Sequence, residues 1–243
     1  MFKEERFDKI LEILNEENYV SADKLAKILY VSLPTIRRDL SALDKQGLII
    51  RSHGGAKKIG LEKTVMPVEF RKTQNFKDKR ALCERAVKFI EDESIIFIDA
   101  STTTMQMTDF ISPSSRITVI TNSIIVSSVL TKKGIKTYLT GGELQQNSMC
   151  YAGAFAESFV RQFNYSAVFF SCHGVDKKGN IVDTSLTETN LRKVLIAQTK
   201  KSVFLCDKTK FLVSAPFNLA KLSEIDVVIT NDKNLKLKNT IKV

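Results

Sequence analysis

No apolar run in these 243 residues approaches the ~20 that a helical membrane span requires. The opening stretch MFKEERFDKI mixes acids among its bases and lacks the apolar segment of a secretory leader. A cytoplasmic protein with no membrane partner is therefore expected. Histidine is nearly absent, with only His53 and His173, and the cysteines Cys83, Cys150, Cys172 and Cys206 stand far apart without a C-x-x-C pair. That scarcity argues against zinc and against a disulfide framework, so no metal and no cofactor is expected, and the thiols read as reduced core residues.

What is present fits a soluble globular chain, 43% hydrophobic and 26% charged, long enough for a small domain joined to a medium one. Basic residues outnumber acidic ones 37 to 27, a net charge of +10 that favours polyanionic or phosphorylated partners without identifying them. Within residues 30–60 the bases Arg37, Arg38, Lys45, Arg51, Lys57 and Lys58 face only Asp39 and Asp44.

Phe7, Ile10, Leu11 and Leu14 fall at three- and four-residue steps, the stripe of an amphipathic helix over about residues 2–17. Ser21 is placed to cap a second, shorter helix ending near Leu29, and Ser32 a third that carries Pro34 in its first turn and runs to about Lys45. In the third helix Ile36, Leu40 and Leu43 point inward, leaving Thr35, Arg37, Arg38 and Ser41 on other faces. This is the layout of a helix-turn-helix whose second member enters the major groove of DNA. After Gly47, Leu48–Arg51 and Ala56–Ile59 read as two strands of a wing around a His53-Gly54-Gly55 turn, with Lys57 and Lys58 on the return strand. A small helical interaction module with a solvated basic surface is the alternative; the order of turn, cap, basic helix and basic hairpin favours DNA binding.

The string VSLPTIRRDLSALDKQGLIIRSHGGA resembles the DNA-binding signature of DeoR-type bacterial regulators, and EERFDKILEIL and LAKILYVS fit it too. The resemblance implies that Thr35, Arg37 and Arg38 face DNA, with Arg51 and the HGGA turn shaping or touching it. The expected DNA contacts are Ser32, Thr35, Arg37, Arg38, Ser41, Arg51, His53 and Lys57. Asp39 reads instead as structural, holding a neighbouring arginine.

Residues 1–60 thus form a winged helix-turn-helix, 61–75 read as a linker, and 76–243 as a second domain. There, buried-strand patterns at 95–99, 117–121, 136–140, 167–171, 202–206 and 227–230 alternate with helical stretches, one from about Asp78 to near Glu91 and others near 104–111, 124–132, 153–163 and 187–199. The alternation predicts an α/β fold with a mostly parallel sheet covered on both faces. Open sheets of this kind bind ligands at the ends of their strands. The loops there are DASTTT (Asp99, Ser101, Thr102, Thr103), TNS (Thr121, Asn122), TGGE (Gly141, Gly142) and CDKTKF with Lys210. Hydroxyls and helix N-termini suit a phosphate, and Asp176, Asp183 and Glu188 can accept bonds from sugar hydroxyls or equally serve as a loop acid and helix caps. Each loop alone also fits an ordinary cap or turn.

In the same order, DASTTT, TNS, TGGE, GVDKKGNIVDTSLTETNLRK and DKTKF are similar to the DeoR-family effector domain, which resembles ribose-5-phosphate isomerase-like folds. The resemblance implies a repressor of carbohydrate-metabolism genes, relieved by a phosphorylated sugar held around Asp99, Thr102, Thr103, Asn122, Gly141, Gly142, Asp176, Glu188 and Lys210. Two departures stand out: Ser101 where glycine is common and Gln145 near a frequent arginine. A sugar-phosphate isomerase using Asp176, Glu188 and Lys210 is the alternative, but an isomerase has no need of a helix-turn-helix. The expected partners are double-stranded operator DNA, the phosphorylated sugar and further copies of the chain, as a homodimer or homotetramer, because a palindromic operator mirrors a two-fold protein.

Overall fold

The computed structural model describes residues 2–17, 19–52, 54–58 and 68–243. It comprises two compact units, residues 1–66 and 67–243.

In the first unit the predicted stripe buries Phe7, Ile10, Leu11 and Leu14 along helix α1 (Lys3–Glu17). Strand β1 (Tyr19–Ser21) leads into α2 (Ala22–Leu29), whose N-cap Ser21 accepts a bond from the Lys24 amide. Tyr30, in the left-handed region at φ 54°, stops α2. Helix α3 (Leu33–Lys45) starts at Ser32, which caps the Thr35 amide, with Pro34 in the first turn as expected. Strands β2 (Ile49–Ser52) and β3 (Gly55–Lys58) form the wing.

The wing is a three-stranded antiparallel sheet ordered β1-β3-β2, because the short segment before α2 pairs Val20 with Ala56. That pairing separates the two glycines of the turn. Gly54 takes positive φ (80°), whereas Gly55 is required for space: a Cβ there would lie 2.3 Å from the Val20 carbonyl oxygen. His53 lies outside the described residues.

The second unit opens earlier than its sequence pattern suggests. The part of the expected linker up to residue 67 lies outside the described residues, but Val68–Thr73 is a helix, α4, with Val68 buried. Helix α5 (Phe76–Ala86) follows and gives way to a 3-10 turn at Val87–Phe89 instead of continuing to Glu91. The remaining elements are β4 (Ile95–Ile98), β5 (Thr118–Thr121), α6 (Ile124–Lys132), β6 (Lys136–Leu139), β7 (Glu143–Gln145), β8 (Cys150–Ala152), α7 (Ala154–Val160), β9 (Ala167–Phe170), β10 (Gly174–Val175), β11 (Asn180–Asp183), α8 (Leu186–Gln198), β12 (Ser202–Cys206), β13 (Phe217–Lys221), β14 (Val227–Thr230) and β15 (Thr240–Lys242). The helix expected near residues 104–111 is a 3-10 segment, Thr104–Asp109. Hydroxyls account for it: Ser101 Oγ and Thr104 Oγ1 bond into the local backbone and compete with α-helical pairing.

Seven strands form one parallel sheet ordered β15-β14-β12-β9-β4-β5-β6. Period-2 alternation sends Ile96, Ile98, Val119, Phe169, Val203 and Leu205 into one core and Phe97, Ile120, Val168, Phe170 and Phe204 into the other. The first core is completed by α5 and α6 and the second by α7 and α8. Chain order runs outward in opposite directions from the adjacent pair β4 and β9, so the ends of these two strands mark the topological switch point, the usual ligand crevice of such sheets. Antiparallel additions, the hairpin β7-β8 and the sheet β10-β11-β13, border the unit.

Candidate functional site

In the first unit, burial of Ile36, Asp39, Leu40 and Leu43 turns one face of α3 inward and leaves Arg37 and Arg38 exposed, with Thr35 and Ser41 half-buried. Ser32 and Thr35 share a hydroxyl–hydroxyl bond of 2.8 Å that fixes the start of this helix. Arg51 and Lys57 are exposed on the wing, and the Arg51 amide donates to Asp44 Oδ1, tying β2 to the end of α3. Arg6 grips Asp39 through Nε at 2.7 Å and Nη2 at 3.1 Å. Asp39 therefore anchors α3 to α1, as its sequence reading has it.

In the second unit the strand ends at the switch point hold a charged cluster. Asp99, just past β4, accepts bonds from the Ser101 and Ser171 amides, Thr104 Oγ1 and Arg192 Nε. Arg192, on α8, also donates to Asp183 Oδ2 at 2.9 Å and Glu188 Oε2 at 3.0 Å. Burial by itself would lower its pKa, but the three carboxylates outweigh that and hold the guanidinium firmly charged. Asp99 and Glu188 are thus organisers of the site, committed to Arg192.

Around this scaffold stand three more cations. Lys79, on α5 and only 4% exposed, donates to Thr102 Oγ1 at 3.1 Å and to the Arg71 carbonyl at 2.5 Å. Burial, and next the charge of Lys210, push its pKa down to about 8. Lys210 donates to Ser171 Oγ and the Cys172 carbonyl, and Arg71, on α4, to the Asn147 carbonyl and Ser148 Oγ. Three buried oxygens on the strand-end loops, Thr103 Oγ1, Asn122 Oδ1 and Asp207 Oδ2, make no hydrogen bond among the described residues. The four thiols are buried and free, and burial pushes that of Cys172 up to about 12.

The cluster therefore gathers Asp99, Ser101, Thr102, Thr103, Asn122, Glu188 and Lys210 at the strand ends. Thr121 lies there too, but its hydroxyl bonds the Ile98 carbonyl and the Ser123 amide and serves the backbone. Ser101 uses its hydroxyl to cap the Thr104 amide. Asp176 closes the β10-β11 turn through Asn180 and the Lys178 amide. Gly141 and Gly142 line a different feature, a surface pocket of about 450 Å³ walled by Phe155, Ser158 and Phe159 of α7.

Arg71, Lys79, Arg192 and Asp207 were not anticipated. Two had a readable signal: Lys79 shares its helical face with Leu82, Cys83 and Ala86, and Arg192 with Leu191 and Leu195, so each is a cation inside a buried stripe.

A cation held this way suits an anion, and the pH dependence follows. Lys79 releases its proton through about pH 8 when the site is empty, and a bound anion draws that proton back. Affinity for a phosphate dianion is expected to be flat from pH 7 to just below 8 and then to fall by up to about tenfold per pH unit. Calorimetric titrations across pH 7–9 check this; a flat profile would place the anion away from Lys79.

Known proteins share both units. A model of the DeoR-like helix-turn-helix domain matches residues 6–60, and a model of the DeoR C terminal sensor domain matches residues 74–232. The transcriptional regulator GolR of Listeria innocua is 32% identical over 234 residues, covering 96% of this chain and 92% of that protein. The L-fucose operon activator of Haemophilus influenzae is 29% identical, covering 93% and 91%, and the lactose phosphotransferase system repressor of Staphylococcus epidermidis 29%, covering 100% and 97%. Among solved structures, a D-ribose-5-phosphate isomerase complexed with phospho-erythronic acid is 16% identical with a TM-score of 0.41, covering 55% of this chain and 52% of that one. No described helix is long and apolar enough to cross a membrane. The relatives named are regulators of transcription, and this chain, a DNA-binding transcriptional regulator, belongs to the DeoR family.

Proposed function

We propose that the protein represses carbohydrate-metabolism genes by binding operator DNA through α3 and the wing, and that a phosphorylated sugar taken up by the second unit relieves the repression. The observation that carries the effector half is the placing of Lys79 on Thr102 after β4 and of Lys210 on Ser171 after β9, with Arg71 bonded to Ser148, whose hydroxyl in turn reaches Glu188 of the same cluster. A phosphate dianion would take charge-assisted bonds from the cations, and sugar hydroxyls would supply donors for Asn122 Oδ1 and Asp207 Oδ2. On the DNA side, Arg37 and Arg38 present guanidinium forks suited to phosphates or to the O6/N7 edge of guanine. Two copies place two reading heads on a palindromic site, which supports a homodimer or a homotetramer as the working assembly.

Paired substitutions test the two halves. Arg37→Ala is expected to weaken operator binding by about 1–3 kcal/mol, roughly 5- to 150-fold, while leaving effector binding intact. Lys210→Ala is expected to do the reverse. DNA affinity is read by fluorescence anisotropy, and effector binding by thermal shift with a panel of sugar phosphates, where ligand at 100 times its Kd adds about 2.7 kcal/mol of stability. Normal operator binding by Arg37→Ala would remove α3 from the interface, and efficient turnover of pentose or hexose phosphates would restore the isomerase reading.

A further inference from the structure

We infer that α4 is a latch: the six-residue helix with which the sensor unit begins is fastened by the same groups that an anionic effector must recruit, so binding of the effector unfastens it. The inference rests on the effector reading above.

A helix of six residues has little stability of its own, so its position depends on what holds it. At its start the Val68 amide donates to the Asn147 carbonyl at 2.8 Å, and the Val68 side chain is buried. Arg71 Nη2 donates to that same carbonyl and to Ser148 Oγ, both at 3.3 Å, and Ser148 Oγ donates onward to Glu188 Oε1 at 3.1 Å. Near its end the Arg71 carbonyl accepts from Lys79 Nζ, whose other bond goes to Thr102 in the hydroxyl loop. The fastenings therefore run through two cations of the effector site.

An anion seated on the hydroxyl loop competes for those cations. Its bonds to an ammonium or a guanidinium are charge-assisted at both ends and outmatch bonds to a neutral carbonyl or hydroxyl. As Lys79 and Arg71 turn to the anion, α4 loses its hold on the turn at 146–149 and on Lys79. The effector then binds the unfastened form better than the fastened one, which is the differential affinity any switch requires. In the sequence α4 follows β3 of the wing after residues 59–67, so the latch is the part of the second unit next in the chain to the DNA-binding unit.

Hydrogen–deuterium exchange on the full-length protein tests this, with inorganic phosphate and separately with fructose 1-phosphate, each against chloride at matched ionic strength. Peptides spanning 99–104 should become protected while those spanning 68–73 exchange at least severalfold faster. Protection at 99–104 with α4 unchanged or more protected overturns the latch and leaves the effector reading standing; no protection at 99–104 with either anion overturns both. Ser148→Ala supplies a second readout, since it removes one fastening and no cation. It should speed exchange at 68–73 without any anion and shift operator affinity in the direction fructose 1-phosphate shifts it for the unaltered protein. Exchange and operator affinity unchanged in Ser148→Ala would also overturn the latch.

Discussion

Replacing Arg192 with methionine is expected to cost the second unit about 3–5 kcal/mol, the range for stripping one partner from a buried ion pair. The Arg192 side chain is 5% exposed and satisfies three carboxylates, Asp99, Asp183 and Glu188, none more than 12% exposed. Without the guanidinium those charges face one another in a poorly solvated space. Against a total stability of 5–15 kcal/mol for a typical domain, the loss is a large fraction. A drop in melting temperature on the order of 10 °C should follow, confined to the calorimetric transition of the second unit. Arg192→Lys keeps the charge, but one ammonium cannot reproduce a three-way fork, so an intermediate loss is expected. Equal stability of Arg192→Met and the parent would mean that the carboxylates are solvated after all.

Arg192 also shows where sequence reasoning stops. The strands of the large sheet were legible because buried β-strands are short, apolar and bounded by turn residues, and β12 and β14 fall on the expected residues. The loops after β4 and β5 were legible because they follow those strands. The family resemblance places Asp99 around the effector and Glu188 reads as an acceptor for sugar hydroxyls or a helix cap, and no local pattern shows that an arginine 93 residues away from Asp99 bonds its carboxylate. β1 escaped for a related reason: three residues have no period, and only the pairing with β3 makes them a strand. Asp176 bonds Asn180 and closes a turn, and that spacing looks the same in sequence as a ligand on a loop, so the sequence leaves both readings open. The recognition helix was the easiest element, since cap, proline and inward stripe all follow local rules and agree with one another.

Asp39→Ala is expected to abolish operator binding although Asp39 is buried on the inward face of α3. Its side chain, 3% exposed, holds the Arg6 guanidinium, 11% exposed, and that pair joins α1 to α3. Removing the carboxylate deprives Arg6 of two charge-assisted hydrogen bonds that join α1 to α3, at a cost of about 1.5–3 kcal/mol. A unit of some sixty residues buries only about 60% of its unfolded surface and has little stability to spare, so the DNA-binding unit should unfold while the second unit keeps its transition. The double variant Arg6→Met, Asp39→Leu separates stability from contact. Replacing both ends of a buried pair with apolar groups is often neutral or better, so folding and a large part of operator affinity should return together. Arg37→Ala, by contrast, should lose operator affinity with its fold intact. Circular dichroism melts paired with DNA titrations distinguish the two outcomes. An Asp39→Ala protein that melts like the parent but still fails to bind would place Asp39 in the interface itself and overturn its role as an anchor.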